Sequence, residues 1–325
     1  MRVVVLDDWN RVWDAAPEIA RLRRRAEVVV SADVISSRDE LINRLQGVDV
    51  VVPNRGRTTF DAEFFAGVPG LKMIAQTGGG IGHVDQEAAT RNGTLISVTL
   101  GGSPGGMIEF TIGSIIGAMR RTAEQDRAIR CGVWSPIVGQ ELNGKTLGII
   151  GLGRIGKGVA KVALVLGMRV IAAGLTLTLE RAQESGVEFR TIDELMAESD
   201  VVSVHFQLSD RTRGIISRER IAKMKPSAVL VNTSRGPIVD QDALADALLN
   251  GRIAGAALDV FDQEPLPPSH KLLGCQTAFL TAHCGWVTQT AYQQFFEGVE
   301  ANIEAFLDGK PQNLKNPEAL RSATA

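Results

Sequence analysis

Residues 147–156 read LGIIGLGRIG, a short apolar run that leads directly into a G-x-G-x-x-G sequence at the start of a helical pattern. In this context the motif predicts a βαβ unit that binds a dinucleotide. Gly151 allows the tight turn, Gly153 leaves room for a pyrophosphate, and Gly156 lets the helix approach the strand. The first amides of the helix would face the phosphates. The alternative is a tight strand–helix turn without a ligand. The positions assigned to the dinucleotide are Gly151, Gly153, Arg154, Ile155 and Gly156.

Short apolar runs alternate with helical patterns along most of the chain, as in parallel sheets that helices cover on both faces. The first series of predicted strands is Val3–Leu6, Val28–Val30, Val48–Val52 and Leu71–Ala75. The second series is Leu147–Ile150, Val170–Ala173, Val201–His205, Val229–Asn232, Ala256–Asp259 and Phe279–Leu280. The intervening helices are predicted over Ala16–Arg25, Asp39–Leu45, Ile155–Leu166, Ile192–Ala197, Ser217–Met224 and Asp240–Leu249. The sequence therefore predicts an α/β chain with two Rossmann-like domains, a flavodoxin-like substrate domain and a Rossmann dinucleotide-binding domain.

A glycine-rich stretch, residues 101–106, separates the two series and indicates a domain junction. The chain has 325 residues, which exceeds the roughly 250–300 that a single hydrophobic core supports. A helix predicted over Met107–Ala128 would cross between the domains, and a C-terminal helix over Gln289–Leu307 would return to the first. We expect a discontinuous substrate domain and a continuous dinucleotide-binding domain. Their bounds are residues 1–100 with 287–325, and residues 101–286.

The composition argues against several classes of function. The formal net charge of −2 does not suit a nucleic-acid-binding surface, and no apolar run reaches the ~18 residues that span a bilayer. Cys131, Cys275 and Cys284 lack metal-ligand spacing and are expected to be reduced thiols in the cytoplasm. No metal site is predicted. Because the chain has four histidines, a general acid for neutral pH has few candidates.

The strand predicted over Val170–Ala173 ends without the acidic residue that usually binds the ribose 2′-hydroxyl about 20 positions after the motif. Gly174 stands at that place, so no carboxylate would repel a 2′-phosphate, and no arginine immediately follows to bind one. Thr176 or Thr178 offers a hydroxyl to either group. The sequence leaves NAD and NADP open, with a slight preference for NAD.

Three polar residues follow predicted strands of the second series, where ligands of open α/β sheets bind. Arg235, on a rigid turn before Gly-Pro, would grip a carboxylate. Glu264, in a proline-rich loop, would orient a histidine, and His283 would donate and accept a proton. Each has an ordinary alternative: a surface arginine, a solvated acidic loop and a structural histidine. Cys284 is not assigned as a nucleophile, because no second base that would activate it is evident.

The sequences around these residues resemble signatures of the D-isomer-specific 2-hydroxyacid dehydrogenase family. They are NTSRGPIVD at 232–240, ALDVFDQEPLP at 257–267 and AHCG at 282–285. The resemblance extends over nearly the whole chain. In the first domain, the stretch from Leu71 to Asp85 resembles the family's loop for the substrate carboxylate.

The resemblance implies a role for each matching residue. Asp259 would meet the nicotinamide carboxamide, and backbone amides near Gly79 and Gly80 would bind the substrate carboxylate. The catalytic set it implies is Arg235, Glu264 and His283. Cofactor contacts are further assigned to Gly174, Thr233 and Asp259. Substrate contacts are assigned to Arg55, Gly79, Gly80 and Ser103.

These residues predict an oxidoreductase that transfers a hydride between NAD(P)H and a 2-keto acid or D-2-hydroxy acid. Within such enzymes, 3-phosphoglycerate dehydrogenation and glyoxylate or hydroxypyruvate reduction both stay open. A protein of another class, a dinucleotide-sensing corepressor on the same scaffold, is the alternative. The resemblance also implies a homodimer formed through the dinucleotide-binding domain. A small-molecule substrate is expected, with neither nucleic acid nor membrane as a partner.

Overall fold

The structure is a computed structural model that describes residues 1–99 and 104–322. Its strands are β1 (Arg2–Val5), β2 (Glu27–Val30), β3 (Val50–Val52), β4 (Met73–Gln76), β5 (Leu95–Val98), β6 (Thr146–Ile150), β7 (Arg169–Ala173), β8 (Glu188–Phe189), β9 (Val201–Val204), β10 (Val229–Asn232), β11 (Gly255–Leu258) and β12 (Ala278–Leu280). Its α-helices are α1 (Pro17–Leu22), α2 (Arg38–Arg44), α3 (Ala62–Gly67), α4 (Gln86–Arg91), α5 (Pro104–Met119), α6 (Thr122–Arg130), α7 (Arg154–Val165), α8 (Leu179–Gln183), α9 (Ile192–Glu198), α10 (Arg218–Ile221), α11 (Gln241–Leu249), α12 (Gln289–Leu307) and α13 (Ala319–Ser322).

These elements divide between two units, each built around its own parallel sheet. The first unit comprises Met1–Gly102 and Thr288–Ala325, and the second comprises Ser103–Val287. The first sheet has the strand order β2-β1-β3-β4-β5, which is the flavodoxin-like order. Every described pairing within it is parallel.

The sheet of the second unit has the order β12-β11-β10-β9-β6-β7-β8, again with parallel pairings. Read from β8, this is the Rossmann order with one added strand. The strand order reverses between β6 and β9, and ligands of such sheets bind beyond the carboxyl ends of the strands at that point. The predicted fold class is confirmed.

Both sheets are buried on their two faces because helices cover each side. Strands of the second unit contribute the buried side chains of Ile150, Val202 and Leu230 to a shared core. Strands of the first unit contribute Val51 and Ile74 to another. Continuous apolar runs of this kind are typical of parallel strands that are buried on both faces. The packed cores hold the strands in place, and the candidate site residues lie at the ends of these strands.

The predicted crossing helix is wrong, because Met107–Ala128 is not one helix. α5 ends at Met119 and α6 begins at Thr122, and Arg121 between them has a left-handed φ of 54°. A left-handed residue cannot continue a right-handed helix. Residues 104–106, assigned from sequence to the junction, form the first turn of α5, and residues 101–103 lie outside the described residues.

Several short elements were absent from the sequence prediction. They are β5, β8, α3, α4 and α8. Each is no longer than six residues, too short to show the periodicity on which the prediction depended. Among the described residues, no helix is long and apolar enough to cross a membrane.

Candidate active site

His283 and Glu264 form a direct pair at the carboxyl ends of neighbouring strands. Glu264 lies in the loop after β11, and His283 follows β12. The Nδ1 atom of His283 lies 2.7 Å from Oε2 of Glu264. Oε1 of the same carboxylate accepts a hydrogen bond from the backbone amide of Phe261 at 2.9 Å. Both carboxylate oxygens are thereby fixed, and the imidazole is oriented with Nδ1 toward the carboxylate.

The electrostatic environment keeps Glu264 ionised. Burial alone would raise the pKa of this carboxyl. The hydrogen bond and charge of His283, the amide of Phe261 and the positive charge of Arg235 outweigh that effect and lower the pKa below its ordinary value. A permanent negative charge therefore faces the histidine ring.

Arg235 lies on the turn between β10 and a short 3₁₀ helix that begins at Gly236. Asn232, the last residue of β10, donates from Nδ2 to the carbonyl of Arg235 at 2.9 Å. The guanidinium is exposed and donates to the carbonyl of Ser234 at 2.6 Å. No direct bond joins it to Glu264 or His283 among the described residues, although its charge acts on Glu264.

Asp259 holds the turn that carries His283. Its Oδ1 accepts hydrogen bonds from the hydroxyl of Thr281 at 2.6 Å and from the amide of Cys284 at 2.8 Å. Its Oδ2 accepts from the amide of Gly285 at 2.9 Å. His283 has a left-handed φ of 50°, a conformation uncommon for residues other than glycine. The carboxylate, 2% exposed, stabilises this turn from within the second unit.

The G-x-G-x-x-G turn forms a cradle at the end of β6. Gly151 has φ 102°, and a Cβ there would lie 2.9 Å from the backbone of His205. A Cβ at Gly156 would overlap the carbonyl oxygen of Gly151, whereas the space beside Gly153 is open. α7 begins at Arg154 without a capping side chain. Open space next to uncapped helix amides fits the pyrophosphate of a dinucleotide.

The candidate substrate loop of the first unit follows β4. Gly79 and Gly80 are exposed, and nothing lies within 4 Å of where their Cβ atoms would be. The guanidinium of Arg55 lies against Gly78, at a position that a Cβ there would overlap. Burial and the charge of Arg55 lower the pKa of His83 to about 4, so this imidazole is neutral near pH 7. Ser103 lies outside the described residues.

Comparison with known proteins identifies the chain. Residues 112–285, more than half of it, match the family model for the NAD-binding domain of D-isomer-specific 2-hydroxyacid dehydrogenases. The chain belongs to this family. Glyoxylate reductase of Thermofilum pendens is 38% identical over 319 residues, which cover 94% of this chain and 93% of that one.

Solved structures agree with this dehydrogenase family. Phosphoglycerate oxidoreductase from Vibrio cholerae o395 superposes with a TM-score of 0.90 at 31% identity, covering 95% of this chain and 99% of that one. A glyoxylate reductase from Paecilomyes thermophila gives a TM-score of 0.78 at 31% identity, covering 98% of both chains. The protein is an NAD(P)-dependent D-2-hydroxyacid dehydrogenase.

The structure places the remaining predicted cofactor residues of this dehydrogenase around the same strand ends. Gly174 directly follows β7, where a Cβ would lie 3.1 Å from that of Leu177. Thr233 follows β10, and its buried hydroxyl lies 2.9 Å from that of Thr111 on α5. No group of three or more potential metal ligands occurs in residues 1–99 and 104–322.

Sequence reasoning missed two polar features of the dehydrogenase site. One is the set of bonds from Asp259 to the turn of His283. The other is His205, which follows β9 beside Gly151 and has Nε2 2.9 Å from the hydroxyl of Ser203. Burial lowers the pKa of His205 to about 4, so it is neutral near pH 7. Its position at the end of a predicted strand is the sequence feature that could have identified it.

Proposed function

We propose that the enzyme interconverts a 2-keto acid and the corresponding D-2-hydroxy acid, with His283 as the proton donor and acceptor. The observation that carries this proposal is the contact of 2.7 Å between His283 and the ionised Glu264. Because Nδ1 faces the carboxylate, Nε2 is the ring atom left to exchange a proton with the substrate oxygen. The bound nicotinamide supplies the hydride chemistry.

Each remaining polar group has a defined task in this proposal. Glu264 fixes the direction of the imidazole through the contact with Nδ1. Arg235 holds the substrate carboxylate with its planar guanidinium and polarises the keto group. In the first unit, the backbone amides of Gly79 and Gly80 are proposed substrate contacts on the basis of the family resemblance, and Arg55 adds positive charge beside that loop. The amides of Arg154 and Ile155 hold the pyrophosphate.

We propose glyoxylate or a similarly short 2-keto acid as the substrate. This choice is supported by 38% identity to glyoxylate reductase of Thermofilum pendens over nearly the full length of both chains. A phosphorylated substrate is the second candidate, because the phosphoglycerate oxidoreductase from Vibrio cholerae has the same fold with a TM-score of 0.90.

A keto-acid screen with both NADH and NADPH tests the proposal. We expect oxidation of the cofactor with glyoxylate or hydroxypyruvate, and slower turnover with 3-phosphohydroxypyruvate. The reverse order would favour the second candidate. Dinucleotide binding without turnover of any 2-keto acid would contradict the enzymatic proposal and favour a sensor.

We further propose a homodimer formed through the second unit. After α6, the side chains of Trp134 and Val138 are 87% and 90% exposed. Exposed apolar surface on a soluble protein commonly marks an interaction site where it forms a contiguous patch, and these two side chains lie only four residues apart in the chain. A second copy of the same chain would cover this segment in a symmetric interface.

A further inference from the structure

The end of β7 adjoins the pyrophosphate turn. β7 pairs with β6 in register, with Ile150 opposite Ala173, and the amide of Gly151 donates to the carbonyl of Ala173 at 2.8 Å. Gly174 is therefore the next residue along the strand end beside that turn. In dinucleotide-binding domains the residue at this place faces the adenosine ribose, and an acid there binds the 2′-hydroxyl. This chain presents no side chain at that position.

The side chain of Arg181, in the helix that follows, contacts the same loop. The Nη1 atom of Arg181 donates to the carbonyl of Thr176, two residues after Gly174, at 2.8 Å. The guanidinium is exposed and forms no ion pair with any described carboxylate. A guanidinium has five N–H donors in a planar fork, so this contact anchors Arg181 and leaves donors for an anion.

The neighbouring acid is engaged elsewhere. Glu180 bonds to its own backbone amide and to the hydroxyl of Thr178, and these bonds lower the pKa of its carboxyl. Thr178 also accepts a hydrogen bond from the amide of Arg181 at 3.3 Å. The acid is thus bonded to Thr178, whereas the arginine is bonded to the carbonyl of Thr176, two residues after Gly174.

We propose that this loop selects NADPH over NADH, with Arg181 binding the 2′-phosphate beside Gly174, where no carboxylate repels it. The inference depends on dinucleotide binding at the second unit and deepens the proposed function by specifying the cofactor. It replaces the slight preference for NAD that the residues next to Gly174 indicate. Arg181 lies seven residues after Gly174, beyond the positions that immediately follow the strand, and it reaches the loop only through its bond to the carbonyl of Thr176.

Equilibrium binding tests this proposal without turnover. Dissociation constants for NADPH, NADH, 2′,5′-ADP and 5′-AMP would be measured by calorimetry on the full-length protein at low and high salt. We expect NADPH to bind at least about tenfold more tightly than NADH, since a charge-assisted contact is gained. We also expect 2′,5′-ADP to bind more tightly than 5′-AMP, with a preference that weakens as salt screens the charges.

Three variants and one control locate the preference. R181M keeps an unbranched stem and should weaken NADPH binding about tenfold while leaving NADH binding unchanged. R181K should restore part of the loss, because a lysine supplies charge without the planar fork. G174D should reduce NADPH binding and improve NADH binding, because a carboxylate repels the phosphate and accepts from a 2′-hydroxyl. R211M, at another exposed arginine of the second unit, is the matched control and should change neither constant.

Each contrary outcome has a defined meaning. A wild-type protein that binds NADH more tightly than NADPH would overturn this inference and leave the proposed function intact. Equal losses for both dinucleotides in R181M would overturn it too, since they would assign the arginine a structural role. Failure of every dinucleotide to bind would overturn both the inference and the proposed function.

Discussion

The imidazole of His283 and the carboxylate of Glu264 come from loops 19 residues apart in the chain, and they meet at 2.7 Å. The two loops follow adjacent strands, β11 and β12, which pair with Ala256 opposite Ala278. The sheet thus brings the two groups together, and Asp259 fixes the turn on the histidine side. The second unit thus holds an oriented imidazole with a carboxylate as its charge partner.

His283→Ala removes the proposed proton carrier. General acid–base help is worth about 100- to 10,000-fold, so reduction of the preferred 2-keto acid should fall at least about 100-fold. Cofactor binding should not change, because the pyrophosphate cradle lies at a different strand end. Steady-state kinetics and dinucleotide titration would measure the two effects. H270A is the matched histidine control, and near-normal turnover in H283A would exclude the assigned role.

Glu264→Gln tests the charge behind the histidine. The pKa of Glu264 is lowered in the folded protein, so its stabilising charge is present above the ordinary carboxyl pKa of about 4.5. It is lost only as the pH falls through the lower folded value. The Tm difference between wild type and E264Q should therefore persist from about pH 8 to about pH 5 and shrink in stronger acid.

The same variant should lower kcat/KM at least about tenfold at every pH in that range, since the imidazole loses its orienting partner. Activity profiles of wild type and E264Q would check this. An inflection near pH 5 present in the wild type and absent from E264Q would contradict the lowered pKa.

Asp259→Asn separates support of the turn from contact with the cofactor. An amide nitrogen in place of one carboxylate oxygen would face the backbone N–H of Cys284 or Gly285. A buried donor without an acceptor costs about 1–3 kcal/mol, so Tm and kcat should both fall. Dinucleotide affinity should change less than kcat. T281V, which removes one of the donors to Asp259, should show the same pattern more weakly. A variant that loses affinity alone would indicate the cofactor contact implied by the resemblance.

The sequence predicts the longer helices and strands because their apolar patterns extend over enough residues to be recognised. α12 begins and ends at the predicted residues, Gln289 and Leu307, and β10 coincides with the predicted Val229–Asn232. The break between α5 and α6 could not be predicted, because Arg121 adopts a left-handed backbone with neither glycine nor proline to mark it. The strand β5 was not predicted, because four residues are too few to show a periodic apolar pattern.

The sequence predicted which strand ends carry the candidate site residues, but it did not predict the hydrogen bonds between loops. The strand-end rule selected Glu264 and His283, and the structure brings them together. The bonds from Asp259 to the amides of Cys284 and Gly285 depend on the three-dimensional path of a turn 25 residues away, which no local pattern encodes. The contact of Arg181 with Thr176 spans only five residues, but an arginine for the 2′-phosphate was expected immediately after Gly174.

Trp134→Asp tests the proposed homodimer. An aromatic anchor at an interface commonly contributes about 2 kcal/mol or more, and a symmetric dimer would contain it twice. Light scattering after size-exclusion chromatography should show a dimer for the wild type and a monomer for W134D at micromolar concentration. V165D, at a valine that is 83% exposed on α7, controls for loss of exposed apolar surface. A wild-type monomer would contradict the proposal.

Gly153→Ala and Gly156→Ala distinguish space reserved for a ligand from space used by the fold. At Gly153 the backbone is extended, with φ −85° and ψ −162°, and apart from its chain neighbours no described residue comes within 4 Å of the added methyl. Tm should stay unchanged, while the methyl group occupies the proposed pyrophosphate position and weakens dinucleotide binding at least about tenfold.

At Gly156 the methyl would overlap the carbonyl oxygen of Gly151, so α7 must shift. Overpacking of this kind costs about 1–3 kcal/mol, and Tm should fall. Thermal unfolding with dinucleotide titration of both variants measures this contrast, and unchanged binding in G153A would show that the open space is not the pyrophosphate site.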